Sequence, residues 1–403
     1  MKLFDMPSEP RITEMSFPTR VVFGAGAIQR LPGEVTRLSI QHPLVVTDAG
    51  VVRAELLARV AEVLQRAGVR FEVFDQVTPN PTEKDVEAGL AAYRQGGCDG
   101  IIALGGGSPL DAGKLVQLLA THPPPLARYD DAKGGDAFVT ADLPPLIAIP
   151  TTAGTGSEVG RSGVVILPDT ASPSPDGRGG KKTVIFSPHL LPRVALCDPE
   201  LTFGLPKGPT AATGMDALTH CIEAYVANGF HPLADALALD GIWRVSRSLP
   251  VVCAEPMNVQ ARSDMMVAAM EGAMAFQKGL GACHALAHAL TPVSGLHHGL
   301  ANAVVLPAVL EFNRSAVTAH LARVAVAMGE NSGAREEMLA ASAIERVRKL
   351  NAQVGIPSRL REVGVKEEDL PRIAAKAFED ASHLTNPRKC SEADLLSIAR
   401  TAY

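Results

Sequence analysis

GIIALGGGSPLDAGK, residues 100–114, is the most informative stretch of the N-terminal half. An apolar run, Gly100–Leu104, leads into the glycine-rich segment Gly105–Ser108, which precedes a helical pattern at Leu110–Leu119. A buried strand, a glycine turn and a helix in this order indicate one βα unit of a parallel sheet. Glycines let the backbone approach a pyrophosphate, and the helix N-terminus presents N–H groups and partial positive charge to it. We therefore predict a nucleotide-phosphate site here, and a purely structural strand-to-helix turn is the alternative.

Strands and helices alternate on both sides of this stretch. Strands are predicted at Arg20–Phe23, Leu44–Asp48, Phe71–Phe74, Leu146–Ile149 and Val164–Leu167, and helices at Arg53–Ala67 and Glu83–Arg94. Short Val- and Ile-rich strands separated by helices are typical of βαβ units and a mostly parallel sheet. The N-terminal half is therefore predicted to be an α/β domain.

The pattern changes after Asp198-Pro199. It becomes helical almost throughout, with predicted helices at Ala211–Val226, Leu233–Leu249, Ala261–Met274 and Ala341–Val354. We place a domain boundary near residue 200, which gives an α/β domain at residues 1–199 and an all-helical domain at residues 200–403. The segment Pro168–Gly180, PDTASPSPDGRGG, is predicted to be a long loop that could lie at the mouth of a site.

Composition and charge exclude several classes of protein. The chain has 403 residues, 46% of them hydrophobic and 20% charged, which is ordinary for a globular enzyme of two domains. A formal net charge of -5 is not that of a general nucleic-acid binder. Residues 1–18 contain no apolar segment of a secretory signal, and no apolar run reaches the ~18 residues that a membrane helix needs.

Cysteine usage points to a reducing compartment. The six cysteines form no CxxC pair and are scattered along the chain as Cys98, Cys197, Cys221, Cys253, Cys283 and Cys390. This distribution favours buried, reduced thiols over a disulfide scaffold or a cysteine-rich zinc site. We therefore expect a cytoplasmic protein.

Three further features bear on a nucleotide site. Gly24–Gln29 starts like a dinucleotide fingerprint, but Gln29 stands where a small residue belongs, so a glycine turn is the better interpretation. Pro150–Ser157, PTTAGTGS, offers hydroxyls to a phosphate or a nicotinamide amide, or merely caps a helix. Asp48 ends a strand, where its carboxylate could accept both ribose hydroxyls and repel a 2′-phosphate. That would favour NAD over NADP, and an ordinary turn residue is the alternative.

Carboxylate and histidine side chains cluster in the helical half. Asp216 and His220 are four residues apart and so share one face of their predicted helix. His284 and His288 are again four apart, and His297-His298 follows. One carboxylate oxygen and three imidazoles suit Fe²⁺ or Zn²⁺, with a position left for substrate.

The residues around His284 disfavour hydrolysis. Ala285, rather than Glu, follows it, so the general base of zinc proteases is missing. A lone histidine is usually a satisfied core or surface residue. Here, however, four of the 11 histidines fall within residues 284–298, and a carboxylate–histidine helix pair accompanies them. The sequence therefore predicts a metal site.

Five long motifs together resemble the iron-containing (group III) alcohol dehydrogenase family. They are GGGSPLDAGK (105–114), PTTAGTGSEV (150–159), ATGMDALTHCIEAY (212–225), GLGACHALAH (279–288) and HHGLANAVVLP (297–307). The resemblance runs from Phe17 to Arg388 in the order that the family shows. It implies an α/β N-terminal dinucleotide-binding domain and an all-α C-terminal metal-binding domain, a fold shared with dehydroquinate synthase. It also implies an active site in the cleft between the domains and, often, a homodimer.

The resemblance implies roles for individual residues. The four metal-ligand positions of the family match Asp216, His220, His284 and His298, and His288 matches a position near the nicotinamide. Cofactor-contacting positions match Asp48, Asn80, Gly105, Gly106, Gly107, Ser108, Thr151, Thr152, Thr155 and Lys182. The implied phosphate site is therefore the one after residue 104, and Gly24–Gly26 is only a turn. The implied cofactors are NAD and Fe²⁺, with Zn²⁺ as the alternative found in related glycerol dehydrogenases.

Three further segments are most similar in sequence to one branch of the family. AMAFQKGLG (273–281), CDPELTFGLPKGPTAATGMDA (197–217) and GSEVGRSG (156–163) resemble bacterial 4-hydroxybutyrate dehydrogenases. Arg161 and Lys278 flank segments that should line the cleft, so either could hold the carboxylate of an ω-hydroxy acid. Ordinary surface or interdomain charges are the alternative.

These observations predict a metal-dependent alcohol dehydrogenase or aldehyde reductase that transfers hydride between NAD(H) and a small alcohol, with 4-hydroxybutyrate and succinic semialdehyde as candidate substrates. Lewis-acid catalysis is the mechanism that the ligand set supports. His288 is the candidate for passing the hydroxyl proton towards solvent, with cofactor packing as its alternative role.

Two rival functions are a dehydroquinate synthase-like lyase that uses NAD transiently and a degenerate relative that only binds nucleotide. The complete Asp/His/His/His set disfavours the latter. Neither nucleic acid nor membrane is expected as a partner.

Overall fold

The computed structural model describes residues 15, 17, 19–168 and 180–403. The predicted loop Pro168–Gly180, apart from its two end residues, lies outside the described residues. The chain forms two units and passes from the first to the second between Leu205 and Pro206.

The described residues of the first unit form eight strands. They are β1 (Arg20–Phe23), β2 (Pro43–Val46), β3 (Glu72–Phe74), β4 (Gly100–Gly105), β5 (Leu146–Pro150), β6 (Ser162–Pro168), β7 (Gly180–Phe186) and β8 (Val194–Cys197). Six of them form a sheet in the order β1-β8-β5-β4-β2-β3, and every neighbouring pair is parallel. The predicted parallel α/β architecture is therefore present.

Helices cover both faces of this sheet. They are α1 (Leu31–Arg37), α2 (Ala49–Arg53), α3 (Leu56–Arg66), α4 (Glu83–Gln95) and α5 (Gly107–Thr121). One apolar cluster packs α4 and α5 against the sheet, and a second packs α1 and α3 against it. Strands β2, β4, β5 and β8 are buried along their whole length. This explains why they are near-continuous apolar runs rather than alternating ones.

One predicted strand lies outside the parallel sheet, and one predicted helix begins later than expected. The predicted strand Val164–Leu167 belongs to β6, which pairs antiparallel with β7 and lies outside the parallel sheet. Residues 151–161 contain only the short 3-10 turn Ser157–Val159, and not the α-helix that usually forms the crossover between parallel neighbours. The predicted helix Arg53–Ala67 is α3, which begins three residues later at Leu56, because Glu55 before it has a left-handed φ of 59°.

The strand order reverses between β2 and β4. The chain leaves β2 for the edge strand β3, whereas it leaves β4 in the opposite direction for β5. In α/β sheets, ligands bind at such a switch point, outside the carboxyl ends of the strands. Val46 pairs with Ala103 near these ends, and the Thr47 hydroxyl donates to the Leu104 carbonyl at 2.8 Å. The loops that follow β2 and β4 therefore start side by side.

The second unit is helical. Its helices are α6 (Lys207–Val226), α7 (Pro232–Ala254), α8 (Val259–Ala275), α9 (Ala282–Ser294), α10 (His298–Asn313), α11 (Thr318–Ala327), α12 (Glu336–Val354), α13 (Leu370–Phe378) and α14 (Glu392–Ala402). Every residue of α6 from Thr210 to Val226 is buried, so α6 is the central helix of this unit. The four helices predicted from sequence lie within α6, α7, α8 and α12, and the predicted fold class is confirmed. Within the described part of the chain, no helix is long and apolar enough to span a membrane.

Candidate metal centre and nucleotide site

The glycine turn after β4 is held by the two neighbouring loops. Gly105 has a φ of 149°, which favours glycine, and its carbonyl accepts the Thr151 N–H at 2.9 Å. On the other side, the Asn80 N–H donates to the Ser108 hydroxyl oxygen at 3.2 Å. The structure therefore brings three separately predicted segments together at the carboxyl edge of the sheet.

The remaining glycines of the turn face the loop Pro150–Ser157, which we call the threonine loop. A Cβ at Gly106 would lie 3.3 Å from Thr152 Cγ2, and one at Gly107 would lie 2.9 Å from Thr155 Cγ2. Helix α5 begins at Gly107, so its first N–H groups emerge from this glycine backbone. The threonine loop is consequently packed against the helix start that could receive a phosphate.

Asp48 caps α2 directly after β2. Its Oδ1 accepts the N–H of Gly50 at 2.6 Å and that of Val51 at 2.9 Å. These contacts are those of the turn-residue alternative. Both fall on Oδ1, and the described residues place no hydrogen bond on Oδ2, so this oxygen is available to a ribose hydroxyl.

A buried polar network between α5 and the threonine loop was not predicted from the sequence. The Lys114 ammonium donates to the Ser157 hydroxyl at 2.8 Å, and that hydroxyl donates to Asp111 Oδ1 at 2.6 Å. Burial lowers the pKa of Lys114 to about 8 and raises the pKa of Glu158 to about 7. Burial also raises the pKa of Asp111, although Lys114 and Lys182 act in the opposite sense. The network ties α5 to the threonine loop, and the effect of Lys182 on Asp111 indicates that this predicted cofactor residue of β7 lies near it.

The first glycine segment has a structural role. The N–H groups of Gly26 and Ile28 donate to the buried Asp198 carboxylate at 3.2 and 3.1 Å. These donors are therefore engaged within the protein. The geometry agrees with a glycine turn rather than a phosphate site at Gly24–Gly26.

Four predicted metal ligands come together in the helical unit. Asp216 and His220 lie on α6, His284 lies at the start of α9, and His298 is the first residue of α10. Ligand atoms of Asp216, His220 and His284, all buried, lie within 4.8 Å of one another. Three helices thus bring one carboxylate and three imidazoles to one place.

The spacing of these atoms is close to that of ligands around a small divalent cation, with one distance inside the range expected and one slightly longer. Asp216 Oδ1 is 4.0 Å from His284 Nε2 and 3.5 Å from His298 Nε2. Metal–ligand bonds of about 2.0–2.2 Å in a tetrahedral site separate ligand atoms by roughly 3.3–3.6 Å. The donor set, one oxygen and three nitrogens, is also one that Fe²⁺ and Zn²⁺ accept.

Asn302, which the sequence did not single out, lies among the same atoms. Its Nδ2 is 2.8 Å from Asp216 Oδ1, 3.2 Å from His284 Nε2 and 3.2 Å from His298 Nε2. It lies four residues after His298 and so shares one face of α10 with it. This spacing was the signal that could have identified it.

His288 has a carboxylate partner that sequence spacing could not reveal. Its Nδ1 is 2.8 Å from Asp380 Oδ2, 92 residues away in the chain, and its ring stacks on His298 with centroids 5.1 Å apart. Burial would raise the pKa of Asp380, but His288 and Ser382 outweigh burial and hold it well below its usual range. The predicted catalytic histidine is therefore oriented beside the metal-ligand cluster.

The two predicted substrate residues differ in whether a carboxylate among the described residues pairs with them. The Lys278 side chain is only 3% exposed, and its ammonium lies 2.5 Å from Asp235 Oδ1 and 2.9 Å from the Tyr225 carbonyl. These contacts weigh against a substrate role for Lys278. Arg161 lies just before β6 with its guanidinium 5.2 Å from the Phe186 ring centroid, and no carboxylate among the described residues pairs with it. Partial burial lowers the pKa of Arg161.

A parallel α/β unit followed by a helical unit with an Asp/His/His/His cluster defines the class of iron-type alcohol dehydrogenases. Residues 18–199 match the family described as "Iron-containing alcohol dehydrogenase". Residues 210–403 match "Fe-containing alcohol dehydrogenase family, C-terminal". The chain belongs to the iron-containing alcohol dehydrogenase family and is an oxidoreductase.

Individual relatives extend over almost the whole chain. A 4-hydroxybutyrate dehydrogenase of Cupriavidus necator is 44% identical over 385 residues, which cover 93% of this chain and 96% of the relative. A crystal structure of 1,3-propanediol oxidoreductase is 39% identical with a TM-score of 0.91, covering 98% of this chain and 100% of that one. A sulfoacetaldehyde reductase of Bifidobacterium kashiwanohense, solved in complex with NAD+, is 26% identical with a TM-score of 0.85, covering 98% and 99%.

Proposed function

We propose that the protein is a metal-dependent, NAD-linked dehydrogenase of small alcohols, with 4-hydroxybutyrate and succinic semialdehyde as the preferred substrate pair. The observation that carries the proposal is the convergence of Asp216, His220, His284 and His298 at spacings that suit one divalent cation. Fe²⁺ is the proposed metal, and Zn²⁺ suits the same donors. When bound, the metal supplies Lewis acidity that lowers the pKa of an alcohol hydroxyl, and the nicotinamide supplies the hydride acceptor.

The chain's own residues bind and orient the reactants. Gly105–Ser108 and the N-terminus of α5 would receive the pyrophosphate, and Thr151, Thr152 and Thr155 would line the same site. Asp48 Oδ2 would accept a ribose hydroxyl, and Asn80 and Lys182 would complete the pocket. His288 remains our candidate for passing the hydroxyl proton of the substrate towards solvent, because Asp380 engages Nδ1 and thereby orients the ring.

Two observations support an ω-hydroxy acid as substrate. A relative named for 4-hydroxybutyrate is 44% identical over most of the chain. Arg161 is a partly buried cation without a carboxylate partner among the described residues, and a guanidinium can hold a carboxylate in two hydrogen bonds. Lys278 is the weaker candidate for this role, because its ammonium forms an ion pair with Asp235.

We also propose a homodimer that works in the cytoplasm. All six cysteines are buried and none of them is in a disulfide, which suits reduced thiols. Sedimentation equilibrium should give twice the chain mass of 42.3 kDa.

Absorbance at 340 nm tests the function directly. Protein reconstituted anaerobically with Fe²⁺, and separately with Zn²⁺, should produce NADH from 4-hydroxybutyrate and consume it with succinic semialdehyde. Both activities should exceed those with 1-butanol and butanal. Arg161→Ala should remove this preference and leave the uncharged substrates nearly unaffected.

The alternatives have their own outcomes in the same assay. Equal use of charged and uncharged substrates would indicate a general small-alcohol or diol dehydrogenase. Absence of net NADH formation with every alcohol would contradict the proposed activity.

A further inference from the structure

Glu223 lies on the same face of α6 as two of the proposed metal ligands. Asp216, His220 and Glu223 are separated by four and three residues, which aligns side chains along one face of a helix. The Glu223 side chain is only 2% exposed. A carboxylate buried this deeply needs hydrogen-bond donors to offset its lost hydration.

The donors come from the first turn of α9. Glu223 Oε1 accepts the Cys283 N–H at 2.7 Å, and Oε2 accepts the His284 N–H at 3.3 Å. The first N–H groups of a helix lack partners within it, and the helix dipole favours negative charge there. A Cβ at Gly281 would lie 2.6 Å from Glu223 Oε1, so glycine is needed for this close approach.

The same carboxylate contacts the imidazole ring of His284. Glu223 Oε2 is 2.6 Å from His284 Nδ1. Because a carboxylate oxygen can only accept, Nδ1 carries the hydrogen, and in the neutral ring Nε2 then keeps its lone pair. Nε2 is also the nitrogen that faces the cluster, 4.0 Å from Asp216 Oδ1.

We propose that Glu223 is a positioning residue that holds His284 in the tautomer and orientation in which Nε2 can bind the metal. This inference rests on the metal-dependent function proposed above. One face of α6 then supplies two ligands directly, Asp216 and His220, and orients a third that belongs to α9. Loss of a carboxylate that orients a ligand histidine typically weakens metal binding by about 10–100-fold.

Glu223→Gln tests the proposal with little change in side-chain volume. If its remaining oxygen accepts the Cys283 N–H, the new NH₂ group faces His284 Nδ1 and favours the opposite tautomer. We expect Zn²⁺ to bind this variant about 10–100-fold more weakly than the parent in chelator competition.

The tautomer has its own readout. In ¹⁵N NMR spectra of metal-free protein labelled with [¹⁵N]histidine, His284→Gln identifies the His284 signals by their absence. The lone-pair signal of Nε2 should be present in the parent and lost in Glu223→Gln. A role in packing alone would not move this signal.

Asn386→Ala is the matched control. Asn386 Oδ1 accepts the Ala282 N–H at 3.2 Å, so it anchors the same helix start through a neighbouring N–H, and among the described residues its hydrogen bonds do not involve the His284 ring. We expect Zn²⁺ affinity close to that of the parent in this variant, even where its thermal midpoint falls. Equal weakening in Asn386→Ala and Glu223→Gln, or parental affinity in Glu223→Gln, would overturn the proposal.

The outcomes separate this inference from the proposed function. A parent protein that binds neither Zn²⁺ nor Fe²⁺ refutes the proposed function. A parent that binds Zn²⁺ while Glu223→Gln binds it equally well refutes the positioning role alone. If Glu223→Gln does not fold, Glu223→Asp replaces it, because the shorter side chain keeps the charge but withdraws from His284. Parental Zn²⁺ affinity in Glu223→Asp, with an unchanged Nε2 signal, contradicts the proposal.

Discussion

Asp216 carries the only negative charge among the four proposed ligands, and His284 is the ligand that a second carboxylate orients. Removing both should abolish metal binding and turnover, because two imidazoles alone do not hold Fe²⁺ or Zn²⁺ tightly. We expect the Asp216→Ala/His284→Ala variant to lose at least about a hundredfold in Zn²⁺ affinity, more than the loss of an orienting partner costs. NAD binding, measured by calorimetry, should be largely retained because its proposed residues belong to the other unit. His189→Ala, at an exposed histidine, is the control. Parental turnover of the double variant in chelator would refute the metal-dependent mechanism.

Asp48 should determine the choice between NAD and NADP. Its Oδ2 is the oxygen available to a ribose, and a carboxylate there repels a 2′-phosphate. Asp48→Gly should shift the ratio of kcat/KM values towards NADP by about 1–3 kcal/mol. Because Asp48 also caps α2, Asp48→Asn is a useful companion, since it keeps an acceptor for the cap and removes the charge. A parent enzyme that already prefers NADP would refute this assignment.

At the scale of helices, Lys278 joins elements rather than binding substrate. Its ammonium contacts the last turn of α6 through the Tyr225 carbonyl and the first turn of α7 through Asp235. Lys278→Ala leaves Asp235 without its cation. Fully buried pairs lose about 3–5 kcal/mol when one partner is removed, and the partial exposure of Asp235 reduces the expected loss to roughly 2–3 kcal/mol.

Urea denaturation measures this change in stability. The exposed Lys389→Ala variant serves as its control and should unfold at the parental urea concentration. If Lys278→Ala has parental stability and a raised KM confined to charged substrates, the predicted substrate role returns.

Glu158, in the loop after β5, should make the stability of the fold depend on pH. Burial raises the pKa of Glu158 from 4.5 to about 7, despite the opposing effects of a backbone N–H and of Lys114. Between these values the folded chain holds a proton that the unfolded chain has released, so the free energy of unfolding falls as pH rises. Glu158→Gln removes this dependence. Urea midpoints at about pH 5 and pH 8 should therefore differ less for the variant than for the parent, and parallel profiles would show that Glu158 titrates normally.

At the scale of the whole molecule, metal occupancy should control thermal stability. A ligand that binds only the folded chain stabilises it by about 2.7 kcal/mol at a free concentration one hundred times its Kd. Zn²⁺ should therefore raise the thermal midpoint of the parent, and a chelator should reverse the change. The Asp216→Ala/His284→Ala variant should respond to neither addition. An equal rise in that variant would indicate Zn²⁺ binding elsewhere in the chain.

Local sequence was sufficient for features that depend on neighbours in the chain. The periodicity of apolar residues and the composition predicted β4, the glycine turn and α5 in order. They also predicted four helices of the second unit, one of which is α6. The four-residue spacing of Asp216 and His220 placed them on one helix face, because an α-helix has 3.6 residues per turn. The resemblance to a family supplied the set of candidate ligands, which the structure brings close together.

Only the tertiary structure decided which groups meet across long separations. Spacing could not pair His288 with Asp380, Lys278 with Asp235, or Glu223 with His284, because each contact joins different elements. The sequence predicted β6 as a strand but not its antiparallel pairing with β7, because an apolar strand pattern does not specify the partner strand. Helical or strand periodicity specifies which face of an element is buried, but packing chooses the partner. The ionic and hydrogen-bonding partner of each buried polar group depends on that choice, because a buried charge is stable only where folding brings donors or a counter-charge to it.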